Sequence, residues 1–166
     1  MSDAVVEEAI KKAAIAWVSV DGGPARGLWC VPVDGALYVV TGIGEQQLAG
    51  LAGAGTAEVT LRGDHGGRIV TWTADVRRVQ PGDDEWNTVA PQVGGKRLNA
   101  PVPTDRLVER WAMDCTLSRL SPAEDGPVVT RPDLPDGSLA EPPRETPAAR
   151  PTRKPFRLHK VRRNRG

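Results

Sequence analysis

Residues 16–51 read AWVSVDGGPARGLWCVPVDGALYVVTGIGEQQLAGL, and their punctuation decides the fold. Three short β-type runs, 16–20, 26–33 and 36–41, are separated by Asp21-Gly22-Gly23-Pro24 and by Asp34-Gly35. Glycine reaches positive φ without a steric cost, and aspartate bonds back to its own backbone, so both joints predict tight turns between antiparallel strands. In the third run Leu37 and Val39 alternate with Tyr38 and Val40, so both faces are apolar and the strand is expected to be central. After Thr41-Gly42-Ile43-Gly44 the pattern predicts a short helix over 44–54, weakened by Gly50 and Gly53. A polar strand end feeding a helix start is a suitable wall for an anionic ligand.

Working outward, residues 2–14 predict an amphipathic helix, with Val6 and Ile10 on one face and Glu7/Glu8 placed to pair with Lys11/Lys12. Downstream, 56–62 and 68–79 predict two strands joined by the glycine-rich loop 63–67. In the second of them Val70, Trp72, Ala74 and Val76 take one face, a clear period of two. Pro81-Gly82-Asp83-Asp84 predicts the start of a helix whose apolar line is Trp86, Val89 and Val93. Pro91 inside it removes a backbone donor and predicts a kink or two pieces. A short helix is expected over 105–110, followed by a last strand over 111–120 that alternates Trp111, Met113, Cys115 and Leu117.

Composition divides the chain. All five Trp lie before residue 122, whereas nine of the fifteen Pro lie from Pro122 onward. This predicts a folded domain over 1–122 and a disordered tail over 123–166, because a Pro- and charge-rich stretch buries too little to offset its ordering entropy. The net charge of +1 conceals eight Lys/Arg and no Asp/Glu within 150–166. Such a basic end suits contact with nucleic acid or an anionic surface, although one Phe offers little base stacking. Two cysteines, Cys30 and Cys115, in apolar surroundings and without a secretion signal predict reduced thiols and a cytoplasmic protein. No apolar run is long enough to span a membrane. With two histidines and no ligand spacing, no metal site is expected, and Asp83-Asp84-Glu85 reads as a capping cluster rather than a catalytic pair. No nucleophile elbow, phosphate loop or dinucleotide fingerprint is present. The fold expected from these elements is mainly β (α+β): a six-stranded antiparallel split β-barrel with peripheral helices.

With Ala16-Trp17-Val18-Ser19-Val20, Gly23-Pro24-Ala25-Arg26-Gly27-Leu28-Trp29 and Leu37-Tyr38-Val39-Val40-Thr41, the chain resembles the actinobacterial branch of the pyridoxamine 5'-phosphate oxidase-like, flavin-binding split-barrel superfamily. The resemblance covers about residues 4–122. It implies a homodimer holding FMN or a deazaflavin at the interface, with redox chemistry on a small-molecule substrate. It places the cofactor against Arg26, Gly27, Leu28 and Trp29, against Thr41, against Gln46 and Gln47 of the expected helix, and beside Trp72. Cofactor-binding members place a cation in that helix, whereas this chain has no Lys or Arg between Arg26 and Arg62 and carries Glu45 there. The alternative is therefore a non-enzymatic split barrel without cofactor, a binding or scaffold protein acting through its basic tail.

Overall fold

The computed structural model describes residues 4–62 and 69–131. The glycine-rich loop with His65, the start of the strand expected from 68, and the basic tail lie outside the described residues. The chain opens with helix α1 (Ala4–Lys11), whose Val6 and Ile10 are buried as their spacing predicts. Strands β1 (Ile15–Ser19), β2 (Arg26–Trp29), β3 (Val31–Val33) and β4 (Ala36–Gly42) follow. Then come β5 (Thr56–Arg62) and β6 (Ile69–Val79). Helices α2 (Asp84–Lys96) and α3 (Thr104–Asp114) precede β7 (Cys115–Pro122) and β8 (Val128–Arg131).

All pairings of these strands are antiparallel, in the order β2-β1-β5-β6-β7-β4-β3, with β8 added on β6. β2 and β3 are the halves of one run, interrupted at Cys30, whose N–H turns away to the carbonyl of Ala14. They stand at opposite ends of the strand order, so this bent run brings the sheet around into a nearly closed barrel. Among the described residues the expected six-stranded barrel has seven strands, because the break at Cys30 divides one, and β8 pairs with β6 outside that order.

Two cores explain the doubly apolar β4. Leu37 and Val39 enter a core inside the barrel with Val18, Leu28, Val59, Val70, Trp72 and Leu120, closed by Val6 and Ile10 of α1. Ala36, Tyr38 and Val40 enter a second core outside the barrel wall, against Trp86, Val89 and Val93 of α2 and Leu107 and Trp111 of α3. Burial on both faces is the physical meaning of the uninterrupted apolar run.

Three expectations are corrected. Residues 44–54 do not form a helix; they form turns and one 3-10 turn, Leu51–Gly53. Gly44 and Gly50 both take positive φ (76° and 85°), a conformation no α-helix contains. α2 is one continuous helix despite Pro91. That proline lies on the exposed side of the helix. Residues 111–114 belong to α3 rather than to the last strand. Leu107 and Trp111, four apart, form its buried line, while Met113 is 77% exposed.

At Gly42, where β4 ends opposite Cys115, φ is 143°. An added Cβ would lie 2.7 Å from the Asp114 carbonyl oxygen and from the Cys115 Cα, both backbone atoms that cannot rotate away. Gly42→Ala is expected to lower stability by about 1–3 kcal/mol, read as a lower urea midpoint at unchanged slope.

Candidate functional site

The end of β4 turns through a tight loop in which Glu45 N–H donates to the Gly42 carbonyl and Gly42 N–H to that of Gln46. Thr41 forms a lone parallel bridge with Gln46. The loop aims three consecutive polar side chains at three different places. Gln46 reaches β2: its amide oxygen accepts from Trp29 N–H and its Nε2 donates to the Trp29 carbonyl, both at 2.7 Å. The side chain thus pairs with the free edge of β2 as a neighbouring strand would. Gln47 turns back and donates to the Gly42 carbonyl at 2.6 Å.

Glu45 points inward. Its side chain is 3% exposed. One oxygen accepts from Trp111 Nε1 at 3.0 Å and from Arg110 Nη2 at 2.5 Å. The other accepts from Arg97 Nε at 3.0 Å. Arg110 also donates through Nη1 to the Ile43 carbonyl at 2.9 Å. It passes so close to the loop that a Cβ on Gly44 would stand 2.6 Å from that nitrogen. The end of α2, the middle of α3 and the β4 exit loop therefore meet on one carboxylate.

A cavity of about 210 Å³ opens beside this cluster, lined by Trp29, Glu45, Gln46, Arg97 and Leu98. Leu98 at its wall is 75% exposed; Ile43, two residues before Glu45, is 73% exposed, and its N–H donates to the carbonyl of Asp114, the neighbour of exposed Met113. Of the residues expected at a cofactor site, the structure brings Trp29 and Gln46 to the cavity. Thr41 is buried at the strand end below it. Gln47 braces the loop. Arg26 and Gly27 are exposed on β2, and Leu28 belongs to the barrel core. Trp72 does not line the cavity: it is enclosed in the barrel core, 1% exposed, and its Nε1 has no hydrogen-bond partner among the described residues. The period of two that identified its strand also placed it on the inner face.

Arg97 and Arg110 escaped the sequence reading, since they follow Glu45 by 52 and 65 residues. A buried-looking Glu in an apolar loop was the available signal, because a carboxylate withdrawn from water needs cations. Burial pushes the Glu45 carboxyl up, but the donors Trp111, Arg97 and Arg110 outweigh it and hold the group below its ordinary value of 4.5. Burial alone pushes the Cys30 thiol up to about 12, so it carries no thiolate chemistry near neutrality. A second cluster lies apart on the outer wall, where Tyr38 Oη donates to Glu85 at 2.8 Å and Arg77 pairs with the other oxygen.

No family model matches the chain, and no curated protein matches it. Solved structures do. The heme storage protein HutZ of Vibrio cholerae has a TM-score of 0.53 at 14% identity, over 75% of this chain and 92% of that one. The conserved hypothetical protein Rv2991 of Mycobacterium tuberculosis also reaches 0.53, at 18% identity over 85% and 93%. A FAD-binding protein of Mesorhizobium loti reaches 0.50 at 14% identity over 78% and 92%. The chain shares its fold with these solved structures.

Because the folded-state pKa of Glu45 is lowered, its stabilising share is full above about pH 4.5 and is lost as pH falls through the lower folded value. Glu45→Gln should lose stability at pH 7 and show a flatter decline below pH 4.5 than the native chain. Urea midpoints measured across that range give both slopes. Glu85 and Glu8, lowered as well, add acid sensitivity common to both proteins.

Proposed function

We propose that this chain binds a flavin-class cofactor, FMN or a deazaflavin, as an oxidoreductase-like homodimer. The observation that carries the reading is the cavity between Trp29 and Arg97 on a split-barrel scaffold. Trp29 is half-buried, so its indole offers a flat face at the cavity wall against which a fused ring can stack. Arg97 also lines the cavity and carries positive charge.

The volume favours a shared site. A pocket that encloses a whole ligand measures about 300–1,000 Å³, and this one is smaller. A second copy seated on exposed Ile43, Leu98 and Met113 would bury that apolar surface and extend the wall. When bound, a flavin supplies hydride transfer at its own ring, and the protein's part is to orient the ring and exclude water. Trp29 fits the ring end. The phosphate end is matched less well, because the Gln46 and Gln47 amides are spent on backbone and Arg26 stands exposed on β2.

That mismatch favours a second reading: a split barrel without cofactor that works as a binding protein through its basic tail, on nucleic acid or an anionic surface. Both cations near the site, Arg97 and Arg110, are already engaged by Glu45.

Absorbance between the near ultraviolet and blue, with FMN and deazaflavin titrated against tryptophan fluorescence, separates the two. The flavin reading expects saturable quenching, weakened about tenfold or more by Trp29→Ala, given the 1–3 kcal/mol typical of an aromatic stacking face. Trp72→Phe should leave the affinity unchanged. A colourless chain that neither cofactor quenches removes that reading. Salt-dependent binding to DNA or anionic vesicles, lost in a chain ending at Arg131, would then establish the second.

A further inference from the structure

Glu45 brings to the cavity wall the charge that an anionic ligand end would carry. Its carboxylate collects three N–H donors, from Arg97, Arg110 and Trp111, at 2.5–3.0 Å. None of the three belongs to the loop that carries Glu45. Trp111 is fixed by the outer core, where it is fully buried, and Arg110 extends from the neighbouring position of the same helix, with a second bond to the Ile43 carbonyl. Arg97 Nη1 is likewise anchored, on the Leu98 carbonyl. The donors are therefore positioned by α3 and by the end of α2, and they converge on one point that borders the open cavity. Three convergent N–H groups, two of them cationic, make a site for an oxyanion such as a phosphate. In this chain the oxyanion is built in.

We propose that Glu45 is the internal anion of this site and sets its ligand specificity: it occupies the Arg97–Arg110–Trp111 donor set, so the native cavity selects a ligand by its ring and draws no affinity from a phosphate monoester. This rests on the flavin reading for its ligand class, whereas the role of Glu45 toward oxyanions stands by itself. An incoming phosphate meets a carboxylate that is always present as an intramolecular partner, and the negative charge of that carboxylate repels it. Removing the carboxylate leaves two guanidiniums facing each other without a counterion, and an added oxyanion then completes them.

The test uses the full chain and its Glu45→Ala and Glu45→Gln variants, with two independent readouts. The first is the thermal midpoint in inorganic phosphate against chloride at matched ionic strength. The native chain should show no phosphate-specific rise, Glu45→Ala should show one, and adding Arg97→Gln should abolish it. The basic tail is common to all these proteins, so the difference between them isolates the cavity. The second readout is the ratio of FMN to riboflavin affinity from tryptophan quenching, two ligands that differ only in the phosphate. The ratio should lie near one for the native chain and rise about tenfold or more in Glu45→Ala, the equivalent of one charge-assisted hydrogen bond. Glu45→Gln keeps an acceptor for Trp111 and serves where the alanine variant fails to fold; it should move both readouts in the same direction. A native chain that prefers FMN over riboflavin tenfold, or variants that gain no phosphate response, would overturn the proposal. If neither flavin binds any of the proteins, the flavin reading falls and the phosphate arm alone decides the role of Glu45.

Discussion

A carboxylate that is 3% exposed, held by two guanidiniums and an indole N–H, is the constraint on which the architecture outside the barrel depends. Withdrawing a charge from water costs several kcal/mol, and only good geometry on every oxygen offsets it. That requirement ties three segments distant in sequence. The loop after β4 must turn at Gly42 and Gly44 to bring Glu45 inward. α2 must end where Arg97 can reach it, and α3 must run far enough for Arg110 and Trp111 to meet the same group. Glu45 takes up the N–H donors that Arg97, Arg110 and Trp111 direct to this point, so the cluster is internally satisfied beside the cavity.

The two cores divide the labour between scaffold and site. The barrel interior is an apolar core that encloses Trp72. The outer core packs α2 and α3 on the barrel wall, and its edge is where polar groups collect. Trp111 joins the two regimes: its ring belongs to that core, while its Nε1 serves Glu45. Gln46 adds the last tie, since its side-chain amide pairs with Trp29 as a strand would and fixes that residue at the cavity. Positioning of this kind allows a half-buried aromatic face to remain in one place without being covered.

Much of the scaffold was legible because it obeys one period at a time. β1, β4, β5 and β6 alternate, their turns carry Gly and Asp, and the buried line Trp86–Val89–Val93 of α2 repeats at helical spacing. Errors arose where two periods coincide or where glycine breaks both. Trp111, Met113 and Cys115 alternate as a strand does, yet Leu107 and Trp111 also share a helix face, and packing against α2 chose the helix. Over 44–54 the apolar spacing suggested a helix, but Gly44 and Gly50 take positive φ and the backbone turns instead.

The sequence by itself determined the antiparallel β character, the turn positions and the apolar faces, because these follow from local periodicity and composition. Only the tertiary structure decided that Glu45 is a buried anion rather than a solvated one, that Arg97 and Arg110 are its partners, and that Trp72 is enclosed while Trp29 is not. Those outcomes depend on contacts across 52 to 66 residues of chain, and pairing between such distant charges leaves no periodic trace in the residues that separate them.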